Sequence, residues 1–190
     1  LIDAGSKIIN KRVEVIEKLK ILARLNQREI TGGNENLSLN YDCSLGELSR
    51  ENDTKELFQK CIQKNQKQEI KRGYTLYGPH RDDLIFKIND KDARRYGSQG
   101  QQRTVALALK LAELEFMKSE KGEYPILLLD DVFSELDKKR RDSFLKAISS
   151  NIQTFITTTD VKDIENITAN SSLILKIENG EFIGKRKAGE

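Results

Sequence analysis

Apolar residues near the start of the chain recur at helical spacing, which predicts an amphipathic helix over residues 3–30. They lie in two adjacent rows, the first made of Ile8, Val15, Leu19 and Leu22 and the second of Ile9, Val13, Ile16 and Ala23. Lysine and arginine occupy the opposite face, and the Gly32-Gly33 pair predicts the end of the helix. We interpret the pattern as a helix packed on a small core, with half of a short coiled coil as the alternative.

Shorter elements are predicted before residue 90: a helix over about 54–71 and strands at 37–41, 74–78 and 84–88. Asp53 is a suitable N-cap for that helix, and Gly73 is a suitable terminator. The Gly78-Pro79 pair predicts a turn between the last two strands.

The pattern changes after residue 99, because apolar residues lie nearly all round a predicted helix over 100–117. We expect this helix to be buried. Beyond it the pattern predicts strands at 126–129, 153–158, 172–177 and 181–184 and helices at about 138–149 and 161–168. Apolar strands that alternate with helices indicate an α/β fold with a mainly parallel sheet covered on both faces. We therefore expect a helical arm over 1–73 and an α/β head segment over 74–190.

Composition narrows the possible functions without selecting one. Charged residues make up 33% of the 190 positions and hydrophobic residues 37%, with a net charge of +3. Local basic patches can therefore contact nucleic acid, although the net charge does not require it.

No apolar run approaches the roughly 20 residues of a membrane span, and no secretory leader is evident, so we expect a cytoplasmic protein without a membrane partner. Cys43 and Cys61 are expected to be reduced thiols, and zinc is disfavoured because His80 is the sole histidine. The first residue is Leu1, and we expect the chain to be part of a longer protein.

Two aspartates follow the apolar run 126–129 directly, where the predicted strand leaves the sheet. Ligand sites of open α/β sheets lie at the carboxyl ends of the strands. A carboxylate there can hold Mg²⁺ through water, and a second one can polarise an attacking water. Taken alone, the run ILLLDD fits a catalytic pair and a pair of turn caps equally well.

A second candidate site is the run SQGQQR, which begins at Ser98 and precedes the predicted buried helix. The N-terminus of a helix offers unpaired amides and the positive end of the dipole, which favour an anion. Gly100 permits a close approach of the backbone to a phosphate, and Ser98 adds a hydroxyl donor. Taken alone, the run is more simply explained as the N-cap of a core helix.

Together the two runs resemble the signature loop and the Walker B strand of ATP-binding-cassette (ABC) type ATPases, at the spacing typical of such heads. ILLLDDVFSELD also contains the D-loop that ends in Leu-Asp in that class. The resemblance implies that Asp130 supports Mg²⁺, that Asp131 takes the place of the catalytic base, and that Asp137 lies at a dimer interface. Most relatives carry glutamate where this chain has Asp131. The residues implied to contact ATP on a partner head are Ser98, Gln99, Gly100 and Gln101.

Four runs, SQGQQRT, LLLDDVFSELD, FITTTD and YGPHRDDL, extend through most of the chain. Together they resemble more specifically the sequences of the RecF family, which are bacterial recombination mediators of the ABC-type, SMC-like ATPase class. The resemblance implies the C-terminal lobe of an ABC-type head joined to part of a helical arm. It also implies Thr159 as a γ-phosphate sensor, although a merely polar strand end explains this residue equally well. GPHRDD is interpreted as a structural turn between arm and head.

Resemblance to RecF further implies an ATP-dependent homodimer with weak, DNA-stimulated ATPase activity. Such a dimer recognises gapped DNA at junctions of single and double strands, mostly through phosphate contacts. The implied partners are the RecO and RecR proteins in loading recombinase, and the implied location is the nucleoid of a bacterial cytoplasm. No G-x-x-x-x-G-K-[ST] motif occurs in the sequence, so we expect this segment alone to be inactive.

Basic clusters could contact DNA phosphates, although each one taken singly is more often a solvated face. The candidates are Arg94, Arg95, Lys138 and Lys139. The alternatives to a RecF-like function are another SMC-like or repair ATPase head, a transporter ATPase subunit, and a non-catalytic scaffold. Gln99 in the signature run and Thr159 in place of histidine argue against a transporter subunit.

Overall fold

Helix α1 (Ile2–Thr31) is one continuous helix of 30 residues and confirms the predicted span. It ends where Gly32 takes the left-handed conformation at φ 62°, which a residue without a side chain adopts at little cost. The computed structural model describes residues 1–48, 53–133, 136–148, 152–159 and 172–187.

The buried seam of α1 follows the second of the two predicted rows. Its buried apolar residues are spaced by seven positions: Ile9, Ile16, Ala23 and Ile30. Ile8, in the first row, is 46% exposed. The two rows lie side by side on the helix, so periodicity alone could not decide which one faces the core.

The remaining described elements are, in chain order, β1 (Leu37–Asp42), α2 (Thr54–Arg72), β2 (Asp83–Ile88), β3 (Lys91–Asp92), α3 (Ala93–Tyr96), α4 (Gln99–Lys121), β4 (Leu127–Asp130), α5 (Lys138–Ala147), β5 (Thr154–Thr157), β6 (Leu173–Glu178) and β7 (Glu181–Lys187). Asp53 caps α2 by accepting a hydrogen bond from the amide of Lys55, and Gly73 ends the helix, as predicted. The helix predicted at 161–168 lies outside the described residues. None of the described helices is long and apolar enough to cross a membrane.

The strands confirm the predicted α/β class, and the parallel pairing among them joins β4 to β5. Strands β1, β2 and β3 form an antiparallel sheet in which Leu37 lies opposite Ile88. Strands β6 and β7 form an antiparallel hairpin. Asn179 and Gly180 connect that hairpin with φ of 51° and 82°, which is the backbone of a tight two-residue turn between antiparallel strands.

The main apolar core lies between α1, α4, β4 and α5, and Phe144 of α5 is fully buried in it. Its ring meets that of Phe133 edge-on, with 6.2 Å between the centroids and 65° between the planes. Other core members are Ile30, Leu107, Ala108, Leu111, Leu127, Leu129, Leu136 and Leu145. This packing holds the polar end of β4 in a defined position against α4.

One side of α4 is open, which contradicts the predicted burial of this helix, and one face of β4 is open as well. Leu129 is 4% exposed, whereas the neighbouring Leu128 is 73% exposed. Ala106 and Lys110 on α4 are also exposed. Side chains alternate across a strand, and the described helices cover only the side of β4 to which Leu129 points.

The strand predicted at 74–78 was wrong, because this segment consists of bends. Its backbone polar groups pair with side chains instead of a neighbouring strand. The amide of Leu76 donates to Glu69 Oε1 at 2.7 Å, and the amide of Gly78 donates to Ser44 Oγ at 2.9 Å. The carbonyl of Thr75 accepts from Arg81 Nε at 3.1 Å.

Residues before and after position 74 pack together. Helix α1 contacts α2, but it also contacts α4 and α5, and β1 pairs with β2. The division into an arm over 1–73 and a head segment over 74–190 stays a prediction.

Candidate functional site

The start of α4 carries a complete capping box. The amide of Gln101 donates to Ser98 Oγ at 3.3 Å, and the amide of Ser98 donates to Gln101 Oε1 at 3.0 Å. Ser98 therefore uses its hydroxyl as an acceptor, which leaves the O–H able to donate to a further group. The Ser-x-x-Gln spacing sets the start of α4 at this point, because it places the two residues of the capping box three positions apart.

The amides of Gln99 and Gly100 follow the cap and contact no acceptor within the described parts of the chain. The first amides of a helix have no partner inside the helix, so such groups attract an anion. Ser98 and Gln99 are exposed, and Gly100 is half-buried. The start of α4 can thus accept phosphate oxygens from outside the chain.

Asp130 ends β4 beside Thr157, its partner in the parallel β5 strand. The hydroxyl of Thr157 donates to Asp130 Oδ1. The hydroxyl oxygen of Thr157 in turn accepts from the amide of Asp131 at 3.2 Å. Thr157 was not among the predicted site residues, although its place at the end of the next parallel strand was a signal for it.

Asp131 has a φ of 45°, in the left-handed region that aspartate tolerates better than most side chains. This backbone turns the chain sharply out of β4. The carbonyl of Asp131 accepts a hydrogen bond of 2.6 Å from Arg103 Nη2, which belongs to α4. Asp131 is exposed, so its carboxylate can reach a water or a ligand at the sheet edge.

Asp137 begins α5 as its N-cap and accepts from the amide of Arg140 at 2.9 Å. Its other carboxylate oxygen lies 3.3 Å from Arg140 Nε. Ser134 and Glu135 of the D-loop run lie outside the described residues.

A buried polar cluster lies behind these segments and was missed by the sequence reasoning. Glu35, in the loop between α1 and β1, is 6% exposed. Its Oε1 accepts from Arg140 Nη2 at 2.7 Å and from Gln101 Nε2 at 3.1 Å. Its Oε2 accepts from Gln27 Nε2 at 2.7 Å. Arg140 also donates to Thr104 Oγ1 at 2.9 Å. No local pattern signals this cluster, because Arg140 stands inside a basic run and Glu35 stands alone between a turn and a strand.

Thr159, the residue implied as a γ-phosphate sensor, is exposed beyond the end of β5. It is two positions past Thr157, the residue that contacts Asp130. Asp160, the last residue of FITTTD, lies outside the described residues. The sensor role of Thr159 therefore stays a prediction.

The GPHRDD turn is tied to α1 and β1 through Asp82, whose side chain is fully buried. Asp82 Oδ1 accepts from the amide of Ser44 at 2.7 Å, and Oδ2 accepts from the hydroxyl of Tyr41. Burial and the hydrogen bond to Asp82 raise the pKa of Tyr41 well above its ordinary range. Arg12 donates to the carbonyl of Pro79 in the same turn. These contacts support a structural role for the turn.

The candidate DNA-contacting residues differ in their surroundings. Arg94 makes two hydrogen bonds to Asp83, of 2.7 and 3.1 Å, and they lower the pKa of that exposed carboxyl. Arg95, Lys138 and Lys139 are exposed. Exposed cations of this kind can meet phosphates, and ionic strength weakens their contacts.

The oxygen groups at the end of β4 are of the type that Mg²⁺ prefers. Asp130 and Asp131 supply carboxylates there, and Mg²⁺ commonly uses one or two carboxylates together with substrate phosphates and water. Among the described residues, no group of three histidine, cysteine, aspartate or glutamate side chains could hold a metal ion. The two carboxylates of Asp130 and Asp131 therefore fit a Mg²⁺ that is also bound by phosphate oxygens and water.

Comparison with known proteins identifies the family. A scan against profiles of protein families finds no match. The DNA replication and repair protein RecF of Halothermothrix orenii is 55% identical over 183 residues, which are 95% of this chain and 49% of that protein. A solved structure of the recombination mediator protein RecF with ATP in the RecFOR pathway has a TM-score of 0.76 and 36% identity, covering 98% of this chain and 48% of that one.

A structure from work on ATP-driven dimerization and DNA-stimulated activation of SMC ATPases has a TM-score of 0.55 at 14% identity. It covers 94% of this chain and 88% of the other, and the likeness is one of fold. The present chain spans about half the length of the curated relatives it matches. From this identity and the shared fold, we conclude that the chain belongs to the RecF family.

Proposed function

We propose that this chain is part of an ATP-dependent recombination mediator that forms a dimer on ATP, recognises gapped DNA and helps to load recombinase. The observation that carries the proposal is the open start of α4, where two helix amides and the hydroxyl of Ser98 can donate hydrogen bonds to an anion. The 55% identity to a RecF protein supports the same assignment.

In this proposal ATP lies between two heads. One head supplies Asp130 and Asp131, and the other supplies the signature residues of α4. Ser98 and Gly100 donate to the γ-phosphate of ATP held by the partner head, and Gln99 and Gln101 flank them. Hydrolysis removes the γ-phosphate, which is the acceptor for Ser98 and Gly100, so the dimer loosens.

Asp130 and Asp131 divide the chemistry at the end of β4. Mg²⁺, when bound, neutralises phosphate charge, and Asp130 would hold it through water. Thr157 keeps the Asp130 carboxylate in one orientation. Asp131 orients the attacking water and accepts its proton. Asp137 lies at the dimer interface, and Thr159 serves as the γ-phosphate sensor.

We further propose that the ATPase is weak and is stimulated by DNA. The DNA is a junction of single and double strands, contacted through its phosphates by exposed cations such as Arg95, Lys138 and Lys139. RecO and RecR proteins are the proposed partners, and the nucleoid of the cytoplasm is the proposed location. We also propose that a segment of the full-length protein outside this chain covers the open face of β4, where Leu128 is exposed.

The substitution Ser98→Arg in a full-length protein that contains this segment tests the proposal. A large cation at the start of α4 should block ATP-driven dimerisation, since it fills the space of the phosphate. Binding of a fluorescent ATP analogue to each head should persist. Ser119→Arg, the same change near the other end of α4, is the matched control. Sedimentation that shows intact ATP-driven dimers of the Ser98 variant would contradict the proposed role in trans.

A further inference from the structure

The buried cluster around Glu35 joins three segments that are far apart in the sequence. Glu35 lies before β1, Thr104 lies in the first turns of α4, and Arg140 lies in the first turn of α5. The Glu35 and Arg140 side chains are 7% and 21% exposed, and their nearest oxygen and nitrogen are 2.7 Å apart. An ion pair this well buried requires close geometry, because each charge has lost most of its water.

The planar guanidinium of Arg140 contacts several acceptor oxygens at once. Nη2 donates to Glu35, and Nη1 donates to Thr104 Oγ1 at 2.9 Å. Nη1 also lies 3.4 Å from the carbonyl of Gly100, and Nε lies 3.3 Å from Asp137 Oδ2. Lysine could not replace this arrangement, because an ammonium is a point charge without a fixed fork.

Glu35 completes the arrangement from the other side. Its Oε1 accepts from Gln101 Nε2, and Gln101 is the residue that closes the capping box with Ser98. Arg140 and Glu35 therefore hold the first turn of α4 from its carbonyl side, away from the exposed amides. They hold the cap of α5 through Asp137 at the same time.

We propose that Arg140 and Glu35 are positioning residues that set the start of α4 and the start of α5 in one rigid arrangement. The signature amides and Asp137 then meet the partner head as one surface. This inference rests on the proposed function, because it concerns how well a head is shaped for the ATP-driven dimer. Neither residue touches nucleotide in this assignment, and both act through Ser98, Gly100 and Asp137.

Arg140→Met in the full-length protein tests the inference. ATP-driven dimerisation, measured by sedimentation, should weaken about tenfold or more, because the two helix starts lose their common anchor. Binding of a fluorescent ATP analogue to the single head at low protein concentration should stay unchanged. The matched control is Lys18→Met, which breaks an exposed ion pair of 2.9 Å between α1 and Glu120 of α4. This control should leave dimerisation as in the wild type.

Glu35→Gln is the second variant, and we expect it to fold. The amide oxygen of the new side chain can still accept from Arg140 and Gln101. Gln27 can turn its amide over to accept from the new NH₂ group, since its own Oε1 is buried with no partner in the described structure. This variant removes the charge while keeping the hydrogen bonds, so dimerisation should weaken about threefold, less than with Arg140→Met. The double variant should be no weaker than Arg140→Met alone, because both changes disable the same anchor.

The outcomes separate the inference from the function on which it rests. If the wild-type protein forms no ATP-driven dimer, the proposed function fails and the inference fails with it. If the wild type dimerises and folded Arg140→Met or Glu35→Gln does so equally well, only the inference is overturned. Equal losses of single-head ATP binding and of dimerisation would show a general loss of structure and would also overturn it. If Arg140→Met does not fold, Glu35→Gln alone decides between these outcomes.

Discussion

Arg103 of α4 donates a hydrogen bond of 2.6 Å to the backbone carbonyl of Asp131, at the turn that leaves β4. The contact joins the helix that bears the signature residues to the turn that bears the proposed catalytic base. Asp131 sits there with a φ of 45°. A backbone in this region keeps its geometry only when its surroundings support it. A side chain on α4 thus helps to set the direction of the Asp131 carboxylate.

Replacing Arg103 should therefore slow hydrolysis without weakening ATP binding. We expect Arg103→Met in the full-length protein to lower kcat about tenfold, because the Asp131 carbonyl loses a charged donor and the turn loosens. Steady-state ATPase assays give kcat and KM separately. Lys118→Met, near the other end of α4, is the control and should keep the wild-type kcat. A kcat for Arg103→Met that equals the control would show that the contact has no part in turnover.

The role of Asp131 is tested by replacing its carboxylate with an amide. Asparagine also tolerates a positive φ, so Asp131→Asn should keep the turn and lose only the proton acceptor. Hydrolysis should slow by about a hundredfold or more, while ATP-driven dimers persist. Single-turnover ATPase assays and sedimentation measure the two effects. Hydrolysis at the wild-type rate would rule out Asp131 as the base.

Thr157 and Thr159 are two candidates for supporting the phosphate site. Thr157 contacts both aspartates at the end of β4, so Thr157→Val should reduce kcat by about tenfold at saturating Mg²⁺ and raise the Mg²⁺ concentration needed for half-maximal rate. Thr159→Val is the matched substitution and should reduce kcat if Thr159 senses the γ-phosphate, with no change in the need for Mg²⁺. A Thr157→Val enzyme with wild-type Mg²⁺ dependence would contradict the Asp130 assignment.

The Tyr41–Asp82 hydrogen bond predicts a loss of stability at alkaline pH. The folded state raises the pKa of the Tyr41 hydroxyl above its ordinary value of 10.0, chiefly through burial. The folded protein thus favours the neutral phenol, and the unfolded chain releases the proton more readily. This contribution to stability is fully present below about pH 10 and is lost as the pH rises above it.

Tyr41→Phe should lower Tm at pH 7, because Asp82 loses a donor while its side chain stays buried. Between about pH 9 and pH 11 the decline of Tm should be shallower in this variant than in the wild type, since the titrating hydroxyl is gone. Tyr96→Phe is the control at a side chain that is 71% exposed, and it should keep the wild-type slope. Equal slopes for Tyr41→Phe and wild type would refute the prediction, and thermal unfolding across this pH range measures them.

Much of the fold follows from local patterns in the chain. The bounds of α1 and α2 follow from apolar periodicity and from the glycines that end them, because caps and periodicity act within one or two turns. The segment at 74–78 was misjudged because its amides pair with Glu69 and Ser44, and no local pattern signals such partners. The burial of α4 was overestimated for a related reason. An apolar pattern around a helix does not say which of its sides neighbouring elements cover.

By itself the sequence determined the α/β class, the capped start of α4 at Ser98 and the aspartates at the end of β4. These features depend on residues close together in the chain. Only the tertiary structure placed Thr157 beside Asp130, Arg103 against the carbonyl of Asp131, and Arg140 against Glu35. Such pairs join distant segments, and they form only when burial of the apolar core brings those segments into contact.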